Sequence, residues 1–334
     1  MLMSVLETSR QRPQTEGFRC GETFEETENG TRSVIFHLNI PSGQRLEFNC
    51  RMPSAGALEG EEEAAVLTEE EYGNIDPNFF EEGYSLAAST GFKVWTGSRL
   101  LVETLTWPQS NDSERLREIQ DRFRNGAKAV ELGAGVGVVG TYLAAIGAQV
   151  LITDLPTIVE NAIDVNLERN KHIKFKYDDD DDVDDNSCNS CPTWLQPHGL
   201  NIGRGWADAT AVDWVQPLEE QLTEEQSTCL DFIVASDVVF LKEMLSSLFD
   251  TVAALFKSSV ASSPPFILSF QRRDAKEGED SKAFTTLDGI LQAVQDRGWK
   301  LECLAWRHVT VPKETEEGNI LMVQSEVFVF EINP

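Results

Sequence analysis

Three groups of residues in this chain have the types and spacing to do chemistry. The first is Ala129-Val-Glu-Leu-Gly-Ala-Gly-Val-Gly-Val-Val-Gly140, an apolar run holding Glu131 and then breaking into glycines at 133, 135, 137 and 140. Glycine lets a backbone turn tightly and approach a ligand. Helix-compatible sequence follows from Thr141 to Ile146, so free N–H groups at a helix N-terminus face the same place. The second is Asp154, which closes the apolar run Ala148-Gln-Val-Leu-Ile-Thr-Asp154, nineteen residues after Gly135. In a doubly wound sheet an acid there accepts hydrogen bonds from ribose hydroxyls. The third is Asp237, at the end of Asp231-Phe-Ile-Val-Ala-Ser-Asp237. The pattern is that of a cofactor site built on strand ends.

The surrounding sequence must place these residues. Ser33 to Ile40 and Gln44 to Cys50 alternate in polarity around Pro41-Ser-Gly43, which predicts a β-hairpin. Leu100, Leu101 and Leu105 recur at helical spacing, with Trp95 and Gly97 at the start of that helix. The segment 107–126, with Arg115, Arg117, Arg122 and Arg124, predicts a short amphipathic helix. Leu155 to Asn170 predicts another, with Pro156 in its first turn and Ile158, Ala162, Val165 and Leu167 on its apolar face. Gly205 to Trp214 reads as a strand and loop, Leu241 to Phe256 as a helix, Pro265 to Phe270 as a strand, and Phe284 to Asp296 as a helix. Trp299 to Trp306 and Gln324 to Ile332 read as two closing strands. This alternation is that of an α/β fold with a parallel sheet, ended by an antiparallel pair.

Two stretches stand outside this order. Residues 1–32 are polar without a clear period and are expected to be a flexible arm. Residues 171–201 carry the acid run Asp178 to Asp182, Asp184 and Asp185, and like-charge repulsion predicts a disordered insertion. The domain is expected over 33–334, interrupted by that insertion. Glu61 to Glu63 and Glu69 to Glu71 read as solvated acids.

Composition narrows the function classes. The 56 acids against 28 bases, a formal net charge of −28, repel phosphate backbones and anionic lipids and favour a basic protein partner. Direct nucleic-acid binding is not expected. No apolar run reaches a membrane span of about 20 residues, and Met1 to Pro13 lacks a signal-peptide core. Of six cysteines, Cys229 and Cys303 lie in or beside apolar runs and are expected to be buried free thiols, which points to the cytoplasm or nucleus. Cys188-Asn-Ser-Cys191 has no second pair at zinc spacing, and no metal site is expected.

The identity of the cofactor has two formal readings. Gly135-Val-Gly-Val-Val-Gly140 with Asp154 matches the dinucleotide pattern of a dehydrogenase. Against this, the glycines begin one step earlier, in Glu131-Leu-Gly-Ala-Gly-Val-Gly137, and the chain ends in a strand pair instead of a second mononucleotide half. Glu131-Leu-Gly-Ala-Gly-Val-Gly137 resembles motif I of the class I, seven-strand S-adenosylmethionine-dependent methyltransferases. The ordered series Val94-Trp-Thr-Gly97, Thr153-Asp-Leu-Pro156, Val212-Asp-Trp214 and Ala235-Ser-Asp-Val-Val-Phe240 is similar to the methyltransferase-16 family of protein lysine methyltransferases.

That resemblance implies a doubly wound, Rossmann-like seven-strand sheet with a C-terminal antiparallel pair and an N-terminal hairpin extension. It implies S-adenosylmethionine as cofactor, with Gly133, Ala134 and Gly135 under its methionine part, Asp154 on the ribose, and Glu131, Gly137 and Leu155 also among the cofactor-binding residues. It places Trp214 by the adenine and Trp95 and Ser236 in the same pocket. Asp237 and Phe240 would face the target amine. Phe240 stands where the family has a tyrosine, which keeps the ring and loses the hydroxyl. The expected activity is methylation of a lysine in a protein substrate with a basic patch, by a monomer. A methyltransferase for a small molecule or a protein histidine, a nicotinamide-dependent oxidoreductase, and a catalytically silent binding module are the alternatives.

Overall fold

Runs that are apolar on every residue form the centre of a sheet, because such strands are buried on both faces. The computed structural model describes residues 20–26, 32–40, 44–51, 91–171, 173, 190–239, 241–259, 263–272, 285–314 and 320–334. The acid clusters at 61–63 and 69–71, His172, the acid run 178–185, Cys188 and Phe240 lie outside the described residues.

The described residues begin with β1 (Cys20–Glu26), β2 (Arg32–Asn39) and β3 (Arg45–Arg51), an antiparallel three-stranded sheet. Helices α1 (Thr96–Thr106) and α2 (Arg115–Arg124) lead into β4 (Lys128–Leu132), α3 (Val138–Ile146) and β5 (Gln149–Asp154). The next helix, α4, begins at Pro156–Ile158, passes through a π-helical turn at Val159–Ile163 and ends as Asp164–Asn170. Then come β6 (Leu200–Ile202), β7 (Gly205–Ala211), α5 (Glu224–Thr228), β8 (Phe232–Ser236), α6 (Lys242–Ser258), β9 (Phe266–Gln271), α7 (Leu287–Asp296), β10 (Lys300–Glu314) and β11 (Ile320–Asn333).

The large sheet runs β10-β11-β9-β8-β4-β5-β7-β6. Strands β9, β8, β4, β5 and β7 are parallel, while β10, β11 and β6 pair antiparallel. From β4 the chain moves outward through β5 to β7, then returns to lay β8 on the other side of β4. That reversal leaves a crevice at the carboxyl ends of β4 and β8, where ligands bind in such sheets. Alternate residues feed two cores. Ala129, Val150, Phe232 and Val234 join the layer of α1 to α4, and Val130, Leu151, Ile233 and Ala235 join that of α6 and α7.

The N-terminal sheet adds Phe36, Leu38, Leu46, Phe48 and Cys50 to the first core. Its free edge is stapled to α4 by side chains. Asn49 N donates to Asn166 Oδ1 (2.7 Å), and Glu47 N donates to Asn170 Oδ1 (3.0 Å). The Asn166 and Asn170 amides donate back to the carbonyls of Asn49 (3.3 Å) and Glu47 (2.8 Å). Two asparagines four residues apart thus do the work of a neighbouring strand for an edge that would otherwise be open.

Several expectations are corrected. The arm 1–32 contains β1, whose backbone pairs with β2 from Cys20↔Leu38 to Glu26↔Arg32. An edge strand held by backbone bonds needs no apolar period. The insertion ends before 201: Trp194 and Leu195 are buried, and Trp194 Nε1 donates to Gln149 Oε1 at 2.8 Å. Val165 is 40% exposed, because the π-turn shifts the helix phase so that Ala162, Ile163, Asn166 and Leu167 face inward. Cys229 is exposed on the loop after α5, while Cys303 is buried. The closing strands run well past 306 and start before 324.

Candidate active site

The glycine turn at the end of β4 is built on left-handed backbone. Gly133, Gly135 and Gly137 have φ of +67°, +57° and +79°. A β-carbon at Gly133 would lie 2.7 Å from Val238 Cγ1 and 2.9 Å from the Trp214 ring, and one at Gly135 would lie 3.1 Å from the Gly91 carbonyl oxygen. Ala134 N donates to Thr153 O (3.0 Å), and Gly137 N to Ala134 O (3.0 Å), which ties the turn to β5.

Two acids secure this turn. Asp154 accepts from Gly135 N through Oδ2 (2.7 Å) and from Leu155 N through Oδ1 (2.7 Å). Burial pushes its carboxyl up to about 6, against those two hydrogen bonds, which favour the charged form. Glu131 is wholly buried, and its Oε2 accepts from Gly140 N (2.7 Å) in the first turn of α3. Desolvation pushes it up to about 8, opposed by the Gly140 bond and reinforced by the charge of Asp154.

The opposite side is the N-terminus of α1, clasped to β8 and β9. Gly97 N donates to Asp237 Oδ2 (2.9 Å), Ser269 Oγ donates to Gly97 O (2.8 Å), and the hydroxyls of Ser98 and Ser236 lie 2.8 Å apart. Asp237 Oδ1 also accepts from Gln271 N (3.1 Å). Asp237 has φ +60°, the one positive value at a non-glycine residue among the described residues. A residue held there against its preference marks a place where the surroundings demand that direction of the chain. The clasp sets Trp95 at the head of α1, with Lys93 Nζ 5.0 Å from its ring centre.

The third side is the loop after β7. Gln221 clamps Asp213 by accepting from its N–H (2.7 Å) and donating to its carbonyl (3.0 Å), which sets the adjoining Trp214 over Gly133. Together these parts enclose a cavity of about 420 Å³. Trp95, Gly133, Ala134, Gly135, Asp154, Leu155, Trp214, Ser236 and Asp237, all expected from the sequence, line it.

The profile of a family described as lysine methyltransferases matches residues 79–183 and 201–288, more than half of the chain. The chain belongs to this family. The gap in the match, 184–200, falls within the insertion expected over 171–201. Protein-lysine N-methyltransferase rrg1 of Schizosaccharomyces pombe is 39% identical over 88 residues, 26% of this chain and 25% of that protein. A calmodulin-lysine N-methyltransferase of Arabidopsis thaliana is 31% identical over 159 residues, 47% of this chain and 41% of that protein. The chain therefore spans less than half the length of these relatives. The solved magnesium protoporphyrin IX methyltransferase of Synechocystis PCC 6803, with bound SAH, has 14% identity and a TM-score of 0.41 over 79% of this chain and 100% of that one.

The cofactor of this family is S-adenosylmethionine, and the residues present fit it. The glycine turn lines the cavity without side chains at 133 and 135, Asp154 stands at the strand tip next to it, and the Trp214 ring, close over Gly133, forms one wall. Glu131 and Gly137 are the exceptions among the expected residues. They lie beneath the turn and not in the cavity lining, because Glu131 points along β4 to hold the start of α3 and Gly137 caps that helix. Their part is to position the turn.

Sequence reasoning missed Lys93, Ser98, Asp213, Glu243 and Met244, which also line the cavity. Ser98 directly follows Val94-Trp-Thr-Gly97 and Asp213 lies inside Val212-Asp-Trp214, so both could have been drawn in with those motifs. Glu243 and Met244 carry no local signal, since only the packing of α6 turns that end of the helix towards β4.

Proposed function

We propose that this protein methylates a lysine side chain of a protein substrate, using S-adenosylmethionine. The observation that carries the reading is that the Asp154–Gly135 pair and the Ser236–Asp237 strand end line the same cavity from opposite sides. It supports a site in which a ribose-bearing cofactor and an incoming amine lie side by side. Family membership and the lysine-directed names of both relatives support the choice of lysine. The net charge of −28 favours a substrate with a basic patch.

When bound, the cofactor supplies an electrophilic methyl group on a sulfonium. The chain's own task is then alignment, which is catalysis by proximity and orientation. Asp154 accepts from the ribose hydroxyls, the glycine turn allows close backbone approach, and Trp214 packs on the adenine. The apolar walls contributed by Val94, Val138 and Val238 desolvate an incoming ammonium and lower its pKa, favouring the neutral amine with a free lone pair. Asp237 orients that amine by accepting its N–H. Its negative charge opposes proton loss, so the proton leaves to water.

The test is incubation of wild type and Asp154→Ala with a tritiated-methyl donor in cell extract, followed by acid hydrolysis of the labelled protein. Label in methylated lysine, lost with the variant, is the expected result. Label in histidine or in a small molecule refutes the choice of lysine. Saturable donor binding with no transfer refutes the activity and leaves a silent binding module.

A further inference from the structure

The cavity has a polarity along its length that locates each end of the cofactor. Asp154, at the tip of β5, lies between the glycine turn of β4 and the loop after β7. Its carboxylate marks the ribose. Trp214, which follows β7, marks the flat aromatic end. The remaining part, an amino acid with a carboxylate, then runs back past Gly135 towards α1. The segment that meets it there is Gly91 to Trp95, whose Gly91 carbonyl oxygen lies 3.1 Å from the β-carbon position of Gly135.

That end needs a cation. The charged side chains lining the cavity, among the described residues, are Lys93, Asp154, Asp213, Asp237 and Glu243. Four are acids, which leaves Lys93 as the one cation among them to attract a carboxylate. The Lys93 ammonium is already drawn to the cavity edge by the face of Trp95, with Nζ 5.0 Å from the ring centre. We infer that Lys93 binds the α-carboxylate of S-adenosylmethionine and so sets which way round the cofactor lies. The inference rests on the cofactor assignment above. It adds a contact that the motif series does not contain, since Lys93 stands just before Val94-Trp-Thr-Gly97.

The test compares two ligands that differ only in that carboxylate: S-adenosylhomocysteine and S-adenosyl-3-thiopropylamine. Calorimetric titrations of wild type, Lys93→Met and Lys93→Arg are run with each. Lys93→Met keeps the length and apolar stem of the side chain and removes the charge, and its exposed position makes a folding defect unexpected. For a solvent-exposed ion pair, Lys93→Met should weaken S-adenosylhomocysteine about fivefold. The same substitution should leave S-adenosyl-3-thiopropylamine unchanged, and Lys93→Arg should restore the wild-type affinity for the homocysteine ligand. The difference between wild type and Lys93→Met should shrink in about 1 M salt, where the Debye length is roughly 3 Å. Equal weakening of both ligands, or no weakening of either, overturns the role of Lys93 while leaving the cofactor assignment intact. Failure of wild type to bind S-adenosylhomocysteine overturns the cofactor assignment and this inference with it.

Discussion

Replacing Glu131 by glutamine tests whether the acid under the glycine turn is neutral in the folded protein. Complete burial lifts its carboxyl from 4.5 to about 8, the largest effect on it, while the bond from Gly140 N pulls the other way. The folded value lies above the unfolded one, so between them the folded state holds a proton that the unfolded state has released. Stability from this group is therefore fully present below about 4.5 and is lost as pH rises through about 8. The slope approaches about 1.4 kcal/mol per pH unit, and integration between about pH 5 and pH 7 predicts a loss on the order of 2–3 kcal/mol. Glutamine keeps an oxygen for Gly140 N and is neutral at every pH. Glu131→Gln should match wild type near pH 5 and exceed it by roughly 2–3 kcal/mol near pH 7. Urea unfolding followed by circular dichroism over a pH series measures this, and subtracting the two curves removes the contribution of every other titrating group. Parallel curves would show that Glu131 is ionised in the folded state, and the account of the buried acid would be wrong.

Other substitutions test the remaining parts of the site. Asp154, lifted to about 6 by burial, should bind ribose better as a carboxylate, so affinity for S-adenosylhomocysteine should rise as pH rises through about 6; Asp154→Asn should bind at least tenfold more weakly with no such dependence, by calorimetry. Gly133→Ala puts a β-carbon against Val238 and Trp214 and should abolish cofactor binding, whereas Gly126→Ala, at φ +87° with nothing within 4 Å, shares the backbone strain of about 1–2 kcal/mol and should bind normally. Asn166→Ala leaves Asn49 N and Val136 O without their partner and should cost about 2 kcal/mol, read as a lowered thermal midpoint. An unchanged midpoint would mean that the edge of β3 is held in some other way.

Much of this architecture was legible in the chain itself. The glycines of 133–140 could only mean left-handed backbone and close approach, and three of them have positive φ. Unbroken apolar runs such as Phe232 to Ala235 declared strands buried on both faces. β1 was not legible, because a charged edge strand owes its place to backbone bonds with β2 and not to any pattern of its own. Nor was the start of α1 as a clasped element, since Ser98, Ser236, Asp237 and Ser269 are far apart in sequence and meet only where β8 and β9 end.

The sequence by itself determined the class of the sheet, the order of its motifs and most of the motif residues that line the cavity. It did so because local backbone demands and the two-sided burial of strands leave marks of short range. Only the tertiary structure decided what each acid does. Glu131 sits near the end of one apolar run and Asp154 closes the next, yet one lies sealed beneath the turn and the other stands in the cavity. Asp237 holds the backbone of α1 and β9 at the same time as it faces the site. The first two roles depend on desolvation, and that of Asp237 on a partner 140 residues away, and nothing in a linear sequence records either.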